Sequence, residues 1–215
     1  MQLVYVNVDE TNMFGEPIGD AGGSTMIYAG TGHRLEVLRW DDAVDLEAVH
    51  QKTVRFATEI LPKYNPTKVI SGMAIGWDTA LAIAALEMGI PLIAAVPFEG
   101  QDAIWPKHAQ ERYRAILDRC AEVHIVCPGG YATHKYHIRD RWMCDHAEGV
   151  IALWNGQKFG GTYSTIKYAK SISLEIFNVW PGWATFDVVA HEQLYARIEE
   201  LEETLFEDLD YRPDC

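Results

Sequence analysis

Residues 68–89 read KVISGMAIGWDTALAIAALEMG, and this stretch decides the fold. Its first four residues form a short apolar run of strand length. Seven residues carrying Gly72 and Gly76 come next, and glycine lets a backbone turn sharply where a Cβ would obstruct it. Residues 78–88 are then a compact Ala/Leu helix that Gly89 closes. Strand, glycine turn and helix in that order are the repeating unit of a parallel sheet.

The same unit recurs along the chain. Apolar runs at 25–29, 91–96, 122–127 and 150–154 read as strands, and 174–179 adds a sixth. Between the first two strands, Leu46, Val49, Thr53, Phe56, Ala57 and Ile60 share one helical face, and Pro62 with Asn65-Pro66 ends the helix. Further helices are expected at 110–117, 134–147 and 162–171. Near-continuous apolar strands alternating with helices predict an α/β fold: a Rossmann-like, doubly wound, mostly parallel sheet with helices on both faces. Right-handed crossovers then bring every strand's carboxyl end to one edge. The domain is expected to span 25–180. Residues 1–24 form an N-terminal extension, a strand candidate followed by the Gly-rich loop GEPIGDAGGS, and 181–215 an acidic C-terminal helix and tail packed on the same domain.

Charge and composition narrow the partners. Hydrophobic residues make up 48% and charged residues 23%, which fits a packed core. The formal net charge is −13, and in 191–215 nine Asp/Glu stand against two Arg. Such a chain repels phosphate backbones and anionic lipid, which disfavours nucleic acid and membrane as partners. The first ten residues lack the basic and apolar regions of a signal peptide, and no apolar run is long enough to span a bilayer, so a cytoplasmic protein is expected. Cys120, Cys127, Cys144 and Cys215 form no C-x-x-C pair, and His108, His124, His134, His137 and His146 have no ligand spacing. Neither a metal nor a cofactor is expected.

Function is read from the turn after each strand. These turns carry Gly30-Thr31-Gly32-His33-Arg34, then Gly72-Met73-Ala74-Ile75-Gly76-Trp77-Asp78, Pro97-Phe98, and finally Trp154 with Gly160-Gly161-Thr162. A glycine turn opening a helix points unpaired N–H groups and the positive end of the helix dipole at an anion. Open parallel sheets bind ligands at this edge, although glycine is also common in ordinary βα turns. There is neither a G-x-G-x-x-G fingerprint nor a P-loop, which disfavours the usual NAD and ATP chemistry. Arg34 suits a bidentate phosphate clamp or a structural ion pair, and His33 a ribose or phosphate contact or a tie between turns. Asp78 serves as a helix cap or a grip on ribose hydroxyls. Met73 and Trp77 flank a base or fill the core. Arg139 and Asp145 line the pocket or form a surface charge network.

These turns resemble the SLOG superfamily, Rossmann-like relatives of the LOG phosphoribohydrolases and of the DNA-processing protein DprA, and within it the YspA/YpsA/YoqJ-like branch. The resemblance runs from Met26 to about Lys170 on GTGHR, SGMAIGWD, IPLIAAVPF, RDRWMCDHAEGVIALWNG and GGT. It implies a pocket for a nucleotide or nucleotide-derived anion, used by a sensor or sequestering protein, in some relatives in conflict between bacteria and phages. The alternative it implies is a nucleoside-phosphate N-glycosidase or hydrolase of the LOG or deoxyribosyltransferase type. LOG members place a catalytic Glu three residues beyond the Thr of the glycine turn. Here Thr165 stands there, and Tyr136 stands in the corresponding place after the look-alike turn at 128–133. Catalysis would then fall to Asp145 or Asp78. A homo-oligomer is expected.

Overall fold

The computed structural model describes residues 25–41 and 44–190, with 193, 196 and 197 beyond them. The extension at 1–24 and, those three positions apart, the helix expected within 191–208 lie outside the described residues.

Six strands form one sheet: β1 (Ile27–Gly32), β2 (Lys68–Ser71), β3 (Leu92–Val96), β4 (Glu122–Ile125), β5 (Gly149–Leu153) and β6 (Glu175–Asn178). All neighbouring pairs are parallel, in the order β4-β3-β2-β1-β5-β6. The helices are α1 (Leu35–Leu38), α2 (Leu46–Ile60), α3 (Trp77–Glu87), α4 (Lys107–Leu117), α5 (Thr133–Asp145), α6 (Gly160–Ser171) and α7 (Trp180–Thr185). The doubly wound α/β architecture expected from the alternating pattern is the one observed.

Alternation along the central strands explains the two layers, since successive side chains of a strand point to opposite faces. Tyr28, Val69, Leu92, Ile151 and Leu153 pack with Val49, Phe56, Leu81 and Tyr113 of α2, α3 and α4. Their neighbours Ala29, Ile70, Ile93, Val150 and Ala152 pack with Met143, Cys144, Ile166 and Ala169 of α5 and α6. The chain therefore winds outward from β1 to β4 and returns to β5 on the other side. The order reverses between β1 and β5, and a crevice opens there at the carboxyl edge.

β1 runs further than its apolar run indicates, because it pairs with β5 as far as Gly32 opposite Leu153. Gly30 and Gly32 thus lie inside the strand. A Cβ on Gly30 would stand 2.6 Å from Leu81 Cδ2, and one on Gly32 2.5 Å from the Trp77 Cβ. Their missing side chains let α3 pack directly on β1. The short helix α1 was not legible, since its four residues are too few for a periodic pattern.

Candidate functional site

A cavity of about 380 Å³ occupies the crevice between the carboxyl ends of β1 and β5. Thr31, Gly32, His33 and Arg34 line it from the first turn, Glu36 and Val37 from α1, and Ala74 and Asp78 from the second turn. Tyr136, Arg139 and Asp140 reach it from α5. Gln157, Phe159, Gly160, Gly161, Thr162 and Thr165 complete it from the last turn and α6. A larger cleft of about 850 Å³ runs along α2 beside Phe186 and Val188, and no glycine turn contributes to it.

The α6 end of the cavity is built for an anion. Gly160 has φ +84°, a left-handed conformation that side chains resist. A Cβ placed on Gly160 or Gly161 would meet nothing within 4 Å, so these glycines face open space rather than a packed neighbour. The N-cap residue is Phe159, which supplies no capping hydrogen bond. The first N–H groups of any helix lack intrahelical partners, and here no side chain caps them from the N-cap position. Thr162 Oγ1 donates to the Gly32 carbonyl at 2.9 Å and so fixes this turn against β1. Arg34 is exposed at the cavity wall, and no described carboxylate lies within 4.0 Å of it.

The cavity's inner wall is a charged cluster of a different kind. Arg139, only 4% exposed, donates from Nη1 to the carbonyls of Gly72 and, at 3.3 Å, Ala95. Its Nε donates to Asp140 Oδ1 at 2.8 Å, and its Nη1 lies 4.0 Å from Asp78 Oδ2. Asp78 is the second residue of α3 and accepts a backbone hydrogen bond from Ala74. Burial pushes its carboxyl up to about 6, against the opposing pull of Arg139. A Cβ on Gly72 would collide with both side chains. Gly72 therefore makes room for the ion pair.

His33 joins two turns. Its Nε2 lies 2.8 Å from Asn155 Oδ1 and 3.0 Å from the Asn155 backbone N–H, and its ring meets Trp180 edge-on. Burial lowers its pKa, partly offset by Asn155.

Of the residues singled out from sequence, Thr31, Gly32, His33, Arg34, Ala74, Asp78, Arg139, Gly160, Gly161 and Thr162 come together around this cavity. The others lie elsewhere. Gly30 packs on Leu81, and Gly76 (φ +122°) abuts the His33 carbonyl. Met73 and Trp77 are fully buried, with Trp77 Nε1 donating to the Ile151 carbonyl at 3.1 Å. The Pro97 carbonyl accepts from Cys127 N–H, and Phe98 is buried against Tyr131 and Tyr136. Trp154 stacks on Tyr163, and Asp145 accepts a 2.7 Å hydrogen bond from the Tyr168 hydroxyl on the protein's exterior. Glu36, Val37, Gln157 and Phe159 also line the cavity, beyond the residues expected from sequence. Phe159 carries a readable signal, an apolar residue at an N-cap where Ser, Thr, Asp or Asn is favoured. For Tyr136 the signal is its spacing, three residues before Arg139 on one helix.

The family model for DNA recombination-mediator protein A matches residues 47–197. The chain is 28% identical over 139 residues to the uncharacterized SPbeta prophage-derived protein YoqJ of Bacillus subtilis, covering 57% of this chain and 81% of that one. It is 30% identical over 100 residues to the UPF0398 protein ABC2016 of Shouchella clausii, covering 44% of this chain and about half (53%) of that one. Among solved structures it is similar to the DNA processing protein A of Helicobacter pylori, with TM-score 0.51 and 19% identity over 71% of this chain and 64% of that one. The Helicobacter pylori protein has a single-stranded DNA binding mode of its own. At this identity the likeness shows the fold. These matches agree with the SLOG resemblance carried by GTGHR and SGMAIGWD. No described helix is long and apolar enough to cross a membrane.

Proposed function

The chain belongs to the DNA recombination-mediator protein A family, and from that premise we propose that it binds a nucleotide or nucleotide-derived anion in the β1/β5 crevice, as a sensor or sequestering protein. The observation that carries this reading is the uncapped α6 N-terminus. Its two unobstructed glycines share one cavity with Arg34, an exposed cation with no described carboxylate within 4.0 Å and a longer-range pull on Asp78. A phosphate there would meet backbone N–H groups, the helix dipole and a guanidinium together. Phe159, 70% exposed at the rim, offers a flat apolar surface to a base.

The glycosidase alternative has less support. Thr165, at the place of the LOG carboxylate, bonds to the Gly161 carbonyl at 3.1 Å, and Asp145 does not line the cavity. Asp78 is the candidate acid that does, and its raised pKa is what such a role requires. Base release from adenosine 5′-monophosphate that disappears in Asp78→Asn would establish this alternative.

A second reading, single-stranded nucleic acid, draws on family membership and on the single-stranded DNA binding of the Helicobacter pylori protein. The chain's net charge of −13 opposes it. A gel shift with oligothymidylate at low salt separates the two readings.

The main test is thermal unfolding with added nucleoside monophosphates. A ligand at about 100 times its Kd raises Tm by about 5–10 °C for a domain of this size. Unchanged unfolding with every nucleotide and nucleotide derivative tried overturns the reading.

A further inference from the structure

A second polar cleft, about 380 Å³, runs between α5 and α6 and shares Asp140 and Thr165 with the crevice cavity. On α6, Ser164, Lys167, Tyr168 and Ser171 stand three and four residues apart, so they form one stripe, and that stripe begins at the Gly160-Gly161 opening. His137, Asp140 and Arg141 form the facing stripe on α5. No described carboxylate lies within 4.0 Å of Arg141 or Lys167. Arg141 instead lies over the Tyr168 ring at 5.1 Å, and Asp140, the acid among the cleft's described lining residues, is held by Arg139. Asp145 stands behind Tyr168, accepting from its hydroxyl at 2.7 Å, so in a chain with 31 acidic and 18 basic side chains this cleft still presents two cations that have no described carboxylate within 4.0 Å.

We propose that this cleft is a second phosphate subsite, and that the ligand carries two phosphates on either side of one nucleoside. The proposal rests on the reading of the crevice as an anion site. The first phosphate sits at the α6 N-terminus and the second between Arg141 and Lys167. Lys167 is six residues beyond Gly161, about 9 Å along the helix. The phosphorus atoms of a pyrophosphate share one oxygen and fall short of that separation. A 3′,5′-bisphosphorylated nucleoside, or one phosphodiester step, holds its phosphorus atoms much further apart, and the Lys167 side chain, leaning back toward the helix N-terminus, shortens the remaining gap. Both a small ligand and a single strand present this chemistry.

The test is calorimetric titration of the full chain with adenosine 5′-monophosphate and adenosine 3′,5′-bisphosphate. The bisphosphate binds about tenfold more tightly or better, the effect of one added charge-assisted contact. An Arg141→Ala/Lys167→Ala double variant loses that margin and keeps its monophosphate affinity within about twofold, because the two subsites are separate. Equal affinity for both probes, or an unchanged margin in the double variant, overturns the second subsite and leaves the crevice reading intact. Binding of neither probe overturns the paired-phosphate subsite, and the crevice reading then falls only if the thermal-unfolding screen of nucleotides and nucleotide derivatives is negative as well. Oligothymidylates of increasing length identify the source of the phosphates. Affinity that stops rising at two phosphates assigns a small ligand, and affinity that keeps rising assigns a single strand; either result supports the paired-phosphate geometry.

Discussion

Arg139 Nη1 stands 4.0 Å from Asp78 Oδ2, a pair that ties α5 to the first turn of α3 across the floor of the crevice. The guanidinium also holds the carbonyls at the ends of β2 and β3, through Gly72 and Ala95. Arg139 is thus a strut whose charge is already engaged, while Arg34, exposed at the cavity wall, acts on Asp78 from beyond 4.0 Å and is the cation proposed to meet the ligand.

Removing the strut is expected to be costly. Arg139→Ala leaves the Asp78 carboxylate buried without its nearest cation and removes a donor from two strand-end carbonyls, of which Gly72 keeps Gln101 Nε2 at 3.2 Å. The expected loss is about 3–5 kcal/mol of unfolding free energy. Asp78→Asn costs less, since the amide oxygen still accepts from Ala74 and Arg139 keeps Asp140. Urea unfolding of both variants checks the order. Equal stability of Arg139→Ala and the parent protein would show that the pair carries no structural load.

The pH dependence of stability follows from the same group. Asp78 ordinarily titrates at 3.8 but holds its proton up to about 6 in the folded protein. Folded chains therefore bind this proton more tightly than unfolded ones, so its contribution is fully present below pH 3.8 and is lost as pH rises through about 6. The expected loss is up to about 3 kcal/mol across that window. Asp78→Asn does not titrate, so its stability relative to the parent protein rises over the same interval. A constant difference between the two from pH about 4 to about 7 contradicts the assignment.

The fold was legible because its signals are local and repeated. Lys68–Ser71 is bounded by charge and glycine, and its apolar side chains fill both layers as a buried parallel strand requires. The site was legible in part, for a definite reason. A glycine is needed wherever another atom approaches closely, and a sequence does not reveal whether that atom belongs to a ligand or to the protein. Gly160 and Gly161 face open space, whereas Gly30 and Gly32 face Leu81 and Trp77. Trp77 and Phe98 show the same ambiguity, as aromatic residues beside a turn that proved to be core. Phe159 and Glu36 reach the cavity through the course of a loop and a single-turn helix, neither of which has a periodicity to read.

Phe159 separates base recognition from phosphate recognition. At 70% exposure its replacement by alanine changes folding stability by about 0.5 kcal/mol or less. Stacking of a base on an aromatic ring contributes about 1–3 kcal/mol, so Phe159→Ala weakens binding of a nucleoside monophosphate by about 5- to 150-fold. Ribose 5-phosphate, which has no base, keeps its affinity. Parallel titrations with the two ligands decide the matter, and equal losses would rule out a stacking role.

Gly161→Asp sets stability against binding at a single position. Gly161 is the second residue of α6, exposed, and a Cβ there faces open space, so a short side chain has room. A carboxylate in the first turn of a helix interacts favourably with the dipole, by about 0.3–1 kcal/mol. The variant is therefore expected to fold at least as stably as its parent. The same carboxylate occupies the place of the proposed ligand phosphate and repels it, and like charges in contact cost several kcal/mol, so affinity falls by about 100-fold or more. Gly161→Ala, small and uncharged, serves as the control and retains binding. Thermal unfolding and nucleotide titration of the three proteins give the comparison. A Gly161→Asp protein that is folded and still binds nucleotide with parental affinity would place the ligand's phosphate somewhere other than the α6 N-terminus.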